Sequence, residues 1–359
     1  MPMSPRRTRR DRSQRGVVLL VVLFFVLLLV SGVATFAKRS IIDAMISRNR
    51  DDFSSASALA RGGVRLAQAL LIQDRINEEA ADVPVIDTHT ELWARVDKVP
   101  LQSGRGSLKL RIEDSGSRLN LNALFQMDEV GTLVPSDMTE PFLLAFLEKI
   151  ISELPVPPGE KALYDVRELT NNLIDWIDPD EERVRGGPEN SYYQGQDPPY
   201  RAANRALLSV DELQLIEGFD QTLVKALRAY VTVYPYAPTG CQIVSRGCGV
   251  NLNTAPPHVL ATLYYDDGVG LRLADEDLVR DILKIRQDGG IICSPDHNID
   301  GCTPVHDLVA NAIFPAPTYS THVFLVKAEA RVGQVRRTVE ATIDRSDPAV
   351  PRLLSWRVR

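Results

Sequence analysis

An uninterrupted apolar run near the N-terminus constrains this chain more than any other feature of its sequence. Residues 17–37 contain no charged side chain, and Ser31, Gly32 and Thr35 are the only mildly polar members of the run. A helix of this length rises roughly 30 Å, which matches the hydrocarbon core of a bilayer. The run therefore predicts one membrane-spanning helix at the start of the chain.

The charges on the two sides of this run are unequal. Residues 1–16 carry six arginines and one aspartate, a net charge of +5, and because the whole chain carries −6, the remainder carries −11. Positive charge marks the cytoplasmic side of a membrane helix. We therefore expect a single-pass membrane protein with a cytoplasmic N-terminus and a body on the other side of the membrane, which in bacteria is the periplasm. An acidic body also argues against binding to nucleic acid, which requires clustered lysine and arginine.

The four cysteines of the chain lie in two close pairs, Cys241 with Cys248 and Cys293 with Cys302. Disulfides form and persist in oxidising compartments such as the bacterial periplasm. The spacing and the expected location together predict two short-range disulfides.

Three interpretations of the N-terminus compete. A secretory signal has a shorter apolar core and ends in an Ala-x-Ala-like site, which residues 35–37 match poorly. A plain membrane anchor explains the length and nothing more. In the third interpretation the segment resembles a type IV pilin or pseudopilin leader, which prepilin peptidase cleaves after Gly16 to leave Val17 as the mature N-terminus. Most pilins carry glutamate as the fifth mature residue, and here that position is Val21.

Apolar residues continue beyond the membrane at near-helical spacing as far as about residue 76. One helix from residue 17 to 76 would be on the order of 90 Å long, and a membrane helix followed by a separate soluble helix fits the same pattern. Gly62 and Gly63 weaken the segment by about 1 kcal/mol each relative to alanine, so a bend would occur there. Either arrangement suits packing against similar helices. The predicted contact face comprises Ile42, Met45, Ile46, Phe53 and Leu59.

The body of the chain carries strand patterns at its two ends and helix signals between them. Residues 107–113 alternate apolar and polar side chains as a half-buried strand does. Residues 323–330 and 335–343 flank a Gly-Gln turn and predict a β-hairpin. We therefore predict an α+β fold: a leader (1–16), a long N-terminal transmembrane and amphipathic helix (17–79), a pilin-like α/β domain with an antiparallel sheet (80–118 plus 313–359), and a large inserted all-α domain (119–312) with helix-hairpin-helix or SAM-like units.

Short passages in the body resemble one known family. They are Leu-Asn-Leu-Asn-Ala-Leu at 119–124, Leu-Ile-Asp-Trp-Ile-Asp at 173–178 followed by Ser-Tyr-Tyr at 191–193, Leu-Ser-Val-Asp-Glu-Leu at 208–213, and Asn-Leu-Asn-Thr-Ala-Pro at 251–256. In this order they resemble the general secretion pathway protein K family, the K-type minor pseudopilins of the type II secretion system. Together with the leader, the resemblance covers nearly the whole chain.

The resemblance implies a structural subunit that is not an enzyme. Its implied role is to initiate or cap, at the tip, the pseudopilus that drives folded proteins across the outer membrane. The implied partners are I- and J-type minor pseudopilins, the pseudopilus and, for processing, prepilin peptidase; no nucleic acid or small-molecule substrate is implied. K-type subunits usually lack the glutamate that Val21 replaces. A bulky inserted domain suits a tip, because a helical shaft has little room for an extra domain on every subunit.

One loop has the spacing of a calcium site. Residues 296–301 read Asp-x-Asn-x-Asp-Gly, the opening of an EF-hand-type loop whose twelfth position is Asp307. Asp296, Asn298, Asp300 and Asp307 are therefore candidate calcium ligands. A solvated turn between Cys293 and Cys302 fits the same residues.

A second concentration of acids comprises Asp175, Asp178, Asp180, Glu181, Glu182 and Glu189. So many carboxylates in one loop repel one another unless a cation or the arginines at 183, 185 and 201 compensate them. The family resemblance implies calcium bound in the helical domain, which makes these residues further candidate ligands. A solvated acidic loop is the alternative.

Other functions leave weaker traces. The sequence contains no P-loop, His-Glu-x-x-His or Gly-x-Ser-x-Gly motif, so nothing in it supports a reaction. Residues 251–270 resemble a DNA-binding helix-hairpin-helix, but Asp266 and Asp267 would repel the phosphate that such a hairpin holds. Two alternatives remain, an anchored periplasmic DNA receptor and a membrane-tethered calcium sensor or adhesin.

Overall fold

The computed structural model describes residues 13–81, 84–155, 164–237, 248–297, 299–347 and 349–359. Over these residues the helices are α1 (Ser13–Ala81), α2 (Leu92–Arg95), α3 (Thr139–Ser152), α4 (Val166–Ile177), α5 (Asn190–Tyr193), α6 (Gln221–Leu227), α7 (Pro257–Leu260) and α8 (Glu276–Gln287). The strands are β1 (Leu101–Ser103), β2 (Gly106–Asp114), β3 (Leu119–Asn120), β4 (Phe125–Met127), β5 (Leu133–Pro135), β6 (Val231–Thr232), β7 (Tyr264–Asp266), β8 (Leu271–Leu273), β9 (Ile291–Cys293), β10 (Cys302–Pro304), β11 (Ile313–Phe314), β12 (Val323–Val332), β13 (Val335–Asp344) and β14 (Arg352–Val358).

Helix α1 runs for 69 residues without a break, so the membrane-spanning and amphipathic segments form one helix. Its most apolar window has a mean hydropathy of 3.2, and none of that window is buried by the rest of the chain. The glycine pair does not interrupt it. Gly62 faces open space, whereas a Cβ atom at Gly63 would lie 2.9 Å from the Ala328 Cβ. The missing side chain at Gly63 therefore lets α1 approach the sheet closely.

The C-terminal part of α1 packs on a five-stranded antiparallel sheet with the strand order β1-β2-β12-β13-β14. Ala328 lies opposite Leu110 on one side and Val339 on the other. Strand β2 buries every second residue, as its sequence pattern predicts. The core between helix and sheet includes Ala60, Val64, Ala67, Leu71, Leu110, Phe324, Val326 and Ile343. The predicted strand, hairpin and α+β class are confirmed.

The region between β2 and β12 has a second hydrophobic core, which brings together α3, α4, α6 and α7. This region is mixed and not purely helical, because strands of two or three residues pair as β3–β6, β9–β10, β4–β5 and β11–β7–β8. Strands this short are not visible as an alternating sequence pattern. Strand β11 falls in the predicted second segment of the pilin-like domain, yet it pairs with β7 of the inserted region.

The two Asn-Leu-Asn passages of the inserted region make the same hydrogen bonds. In each passage the first asparagine side chain accepts a hydrogen bond from the backbone N–H of the second, over 3.0 Å. The second asparagine then exchanges two hydrogen bonds with the backbone of one distant residue, Leu207 for Asn122 and Ile292 for Asn253. The repeated sequence therefore corresponds to a repeated structural unit.

Candidate functional site

The predicted partner face lies on α1 between the apolar run and the sheet. Ile42, Met45, Ile46 and Phe53 are between 44% and 62% exposed. Phe53 lies beneath the Arg337 guanidinium, whose carbon is 4.6 Å from the ring centroid. Between the apolar run and the part of α1 that packs on the sheet, the helix therefore has a face of large apolar side chains that is open to another molecule.

Leu59 differs from the other four residues of this predicted face. It is only partly exposed and packs against the core of the pilin-like sheet. A Cβ atom at Gly106 would lie 2.9 Å from the Leu59 Cδ2, so the glycine leaves the space that the leucine fills. Leu59 thus supports the fold of this chain and does not lie on the open face.

Acidic side chains converge where α4 ends. Asp175 lies in the last turn of α4, Asp178 follows the helix, and Glu189 precedes α5. The Trp176 and Tyr193 rings, with centroids 5.2 Å apart, hold α4 and α5 together. Asp178 and Glu189 are 8% and 1% exposed. We call Asp175, Asp178, Asp180 and Glu189 the acidic pocket.

The acidic pocket concentrates negative charge with little compensation. One carboxylate oxygen from each of Asp178, Asp180 and Glu189 lies within 4.8 Å of the other two. Within the described residues, no hydrogen-bond partner reaches Asp178 Oδ1 or either carboxylate oxygen of Glu189. The C-terminus of α4 adds the negative end of its dipole to the same place.

Burial and mutual repulsion raise the pKa values of these carboxyls. Burial raises the pKa of Glu189 to about 8, and the neighbouring Asp178 carboxylate adds to this rise. Burial and then Asp180 raise the pKa of Asp178 to about 7. The pKa of Asp175 is also raised by burial, although its Oδ1 accepts a hydrogen bond of 2.9 Å from the Val184 N–H.

Compensation by arginine, the alternative to a cation, is slight within the described residues: Arg183 lowers the pKa of Asp175, but burial still raises it overall. Arg183 pairs with Glu217 at 2.7 Å, and no ion pair involves Arg185 or Arg201. Glu181 is exposed and lies outside the group that converges. Calcium takes six to eight oxygen ligands, largely from carboxylates and carbonyls, and the buried, unpartnered oxygens of the acidic pocket fit that chemistry.

The EF-hand-like loop is arranged differently. Asp296, Asp300 and Asp307 are exposed, and Asn298 lies outside the described residues. Among the described residues, the groups of three or more acidic, histidine or cysteine side chains that converge within 4.8 Å include none of these aspartates. The Asp307 carboxylate instead lies 3.3 Å from His306 Nε2. Calcium at this loop stays a prediction from sequence.

One of the two predicted disulfides closes this loop. Cys293 and Cys302 are bonded, with Cα atoms 6.1 Å apart, and they lie in the parallel strand pair β9–β10. Cys248 is buried and also disulfide-bonded. Its predicted partner, Cys241, lies outside the described residues. The Cys293–Cys302 prediction is confirmed.

The hairpin of the DNA-binding interpretation is a β-turn between β7 and β8. The Asp266 carboxylate accepts a hydrogen bond of 2.8 Å from the Gly268 N–H. The Asp267 carboxylate accepts hydrogen bonds from the N–H groups of Val269 and Gly270. Aspartate side chains therefore occupy the amides that would otherwise hold a phosphate.

Sequence analysis missed a charged cluster where α1 meets the body. We call Asp74, Glu78, Asp87, Glu91 and Arg345 the neck cluster. Arg345 and Asp87 are fully buried and hydrogen-bonded, and Arg345 also donates to Asp74 over 2.5 Å. Burial raises the pKa of Glu91 to about 8. Asp87 and Arg345 are 258 positions apart in the sequence, and no sequence pattern indicates that they are in contact.

Comparisons with known proteins agree with this architecture. The family model "Type II secretion system (T2SS), protein K" matches residues 117–236. Type II secretion system protein K of Aeromonas hydrophila is 30% identical over 264 residues, which cover 72% of this chain and 73% of that protein. The protein of the same name from Pseudomonas aeruginosa is 32% identical over 264 residues, covering 71% of this chain and 70% of that protein.

A solved structure shares the fold. It is a chain of the GspK-GspI-GspJ complex from the type 2 secretion system of enterotoxigenic Escherichia coli, with a TM-score of 0.57. The match covers 87% of this chain and 99% of that chain, and at 19% identity it supports the fold alone. The sequence relatives extend the agreement beyond fold, and the chain belongs to the type II secretion system protein K family.

Proposed function

We propose that this chain is a K-type minor pseudopilin that initiates or caps the pseudopilus of a type II secretion system. It acts mechanically, as a structural subunit and not as an enzyme. It spans the inner membrane once, with a cytoplasmic N-terminus and a periplasmic body. Its partners are I- and J-type minor pseudopilins, and the solved GspK-GspI-GspJ complex supports this assignment.

The course of α1 carries this proposal. A single helix is apolar and uncovered at its start, exposes Ile42, Met45, Ile46 and Phe53 in its middle, and packs on the sheet at its end. The element that anchors the chain in the membrane therefore also supports the folded body. Its open middle face is placed to contact the helices of other subunits.

The test is the N-terminal sequence of the protein from membranes of cells with and without prepilin peptidase. A chain that begins at Val17 only when the peptidase is present supports the proposal. Gly16→Val should block this cleavage, whereas Gly32→Ala, in the apolar run where no neighbouring side chain lies within 4 Å, should leave it unchanged. An intact N-terminus in both strains, or cleavage near Ala37, would contradict pseudopilin processing.

We further propose that the body binds calcium at the acidic pocket. The support is the convergence of Asp178, Asp180 and Glu189 within 4.8 Å, with three buried oxygens that no donor among the described residues reaches. A bound cation would remove the repulsion that raises the pKa values of these groups. The loop containing Asp296, Asp300 and Asp307 is the second candidate, favoured by its sequence spacing and its disulfide.

A further inference from the structure

The last strand of the sheet, β14, presents large apolar side chains to solvent. All seven of its residues are exposed, and Leu353, Trp356 and Val358 are each at least 40% exposed. Helix α1 packs across β2, β12 and β13, so β14 lies at the edge of the area that the helix covers. The helix side of this strand therefore lacks the cover that the rest of the sheet receives.

The uncovered strand and α1 together form a groove of about 370 Å³. Leu353 and Trp356 supply its exposed apolar surface, the buried Val64 lies at its base, and Arg61, Arg65 and Gln68 line its helical side. The two arginines are exposed, and within the described residues neither forms an ion pair. We call these six residues the edge groove.

The charge of the edge groove selects for carboxylates. Arg61 and Arg65 are one helical turn apart, so their side chains emerge on the same face about 6 Å from each other. Arginine and tryptophan are the side chains that most often dominate binding at protein interfaces, and here two arginines without an ion-pair partner among the described residues lie beside an exposed tryptophan. A ligand with one apolar stripe and two acidic side chains one turn apart would complement both parts.

A membrane surface does not fit this position. Arg61 follows the last residue of the apolar run by 24 positions, which along a helix is roughly 36 Å. Lipid headgroups at the end of the membrane-spanning segment lie too far below the edge groove to contact it.

An added β-strand is also disfavoured at this edge. Arg359 and Thr338 exchange backbone hydrogen bonds, so Trp356 and Val358, which alternate with Arg359, direct their backbone groups away from β13, where a further strand could pair with them. However, the strand carries Arg352 and Arg357, and a register irregularity interrupts its pairing with β13 between Thr342 and Ile343. Charged side chains and bulges are the devices that keep edge strands from pairing further.

We propose that the edge groove binds an amphipathic helix of another minor pseudopilin, which lies along α1 and presents two carboxylates to Arg61 and Arg65. This inference rests on the proposed function, since it takes the partner from the same secretion system. Trp356 and Leu353 bury the apolar stripe of that helix. The open middle face of α1 is the first contact surface for partner helices. The edge groove extends this surface along α1 as far as the sheet.

The experiment uses the full-length chain produced in one cell with tagged I- and J-type subunits and extracted in detergent. Arg61→Glu/Arg65→Glu and, separately, Trp356→Ala should each reduce co-purification with one of these subunits by about tenfold or more. The matched control is Arg95→Glu/Arg201→Glu, the same change of charge at two exposed arginines that form no ion pair within the described residues. This control should co-purify like the wild type.

Cross-linking then identifies the bound element. Gln68→Cys places one new thiol in the edge groove, since the cysteines of the described residues are disulfide-bonded. A short cross-link to a cysteine placed in the helix of the same partner supports the proposal. Cross-links that form only to a partner strand would overturn it.

The outcomes separate the two proposals. Wild-type co-purification that the edge-groove variants leave unchanged would overturn the helix-binding inference and leave the minor pseudopilin role standing. A wild-type chain that binds neither subunit would overturn both. If a variant fails to fold, as judged by its thermal unfolding, the Gln68→Cys cross-link decides, because this substitution leaves the groove's arginines and tryptophan in place.

Discussion

At the scale of single residues, the neck cluster ties together parts of the chain that are far apart in sequence. The Arg345 guanidinium binds Asp74 and Glu78 of α1 and Asp87 of the loop before α2, and its carbon lies 4.6 Å from the centroid of the Phe324 ring. Asp87 in turn accepts a hydrogen bond from the Thr321 N–H, next to β12. The cluster therefore binds the C-terminal end of α1 to the loop before α2 and to the sheet.

Replacing Arg345 by methionine should be severely destabilising. The substitution leaves Asp87 buried without its cation, and such a change typically costs about 3 to 5 kcal/mol. Burial already raises the pKa of Asp87, and loss of the arginine raises it further. When a carboxyl has a higher pKa in the folded state than in the unfolded state, the folded protein loses stability as the pH rises. The variant should therefore be less stable at pH 8 than at pH 5.

Thermal unfolding of the full-length protein in detergent measures this effect. Arg331→Met is the matched control, since Arg331 lies on β12 with an exposed side chain and should change the unfolding temperature little. Equal unfolding temperatures for the two variants would contradict a stabilising role for the neck cluster.

The acidic pocket makes a second prediction at the residue scale. Asp178→Asn/Glu189→Gln removes two of the three converging carboxylates, so calcium should no longer raise the unfolding temperature. Without calcium the same variant should be more stable than the wild type, because the repulsion among buried acids is relieved. Asp296→Asn/Asp300→Asn is the comparison. Loss of the calcium effect in this second variant alone would move the site to the disulfide-closed loop.

Sequence could identify the acidic pocket and not the neck cluster for a simple reason. The carboxylates of the pocket lie within one short stretch, between Asp175 and Glu189, where repulsion is evident from composition. Asp87 and Arg345 meet because both bind the segment before β12: Asp87 accepts a hydrogen bond from the Thr321 N–H, and the Arg345 N–H donates to the His322 carbonyl. This fully buried charged pair is therefore a product of topology.

At the scale of elements, α1 passes through three surroundings along one continuous helix. Its first part is apolar and uncovered, its middle exposes a face of large apolar residues, and its last part buries small residues such as Ala60 and Ala67 on the sheet. The change from large to small side chains allows helix and sheet to approach closely. Gly63 is the extreme case of this adaptation.

The neighbouring glycines of α1 should respond to alanine in opposite directions. Gly62→Ala adds a methyl group where nothing lies within 4 Å, so it should stabilise the helix by up to about 1 kcal/mol. Gly63→Ala places a methyl group 2.9 Å from Ala328 and Leu108, and overpacking of this kind costs about 1 to 3 kcal/mol. Unfolding temperatures of the two variants test the pair. Stabilisation by both substitutions would contradict the close approach.

The elements that sequence predicted are those long enough to repeat a pattern. Strands β2 and β12 span nine and ten residues and alternate clearly, and the ten-residue β13 alternates apolar and polar side chains from Val339 to Ile343. Helix α1 continues its helical spacing for many turns. Strands β3 to β11 span two or three residues, too few for a period to be visible. All residues of β14 are exposed, so its sequence does not alternate between buried apolar and exposed polar side chains. For that reason sequence analysis did not predict this strand.

At the scale of the whole molecule, two hydrophobic cores meet at a polar junction. Asp114, at the end of β2, is buried and accepts hydrogen bonds from Asn251 and Thr254 of the inserted region. The Asp87 N–H donates to the Tyr319 carbonyl close by. Arg357 of β14 reaches Asp211 on the far side of the sheet. These contacts hold the inserted region against the sheet without merging the two cores.

This separation makes it possible to test whether the inserted region sets the position of the subunit. Replacing residues 119–312 by a short linker keeps α1, the sheet and the neck cluster, and it exposes Asp114 to water in place of Asn251 and Thr254. Without its bulk the chain should fit within the shaft, so immunogold labelling of pseudopili should find the shortened chain along the fibre and the full chain at one end. Both chains should still be cleaved after Gly16. Labelling of the shortened chain only at the end would mean that α1 and the sheet, through the edge groove or the open middle face, already restrict the subunit to the tip.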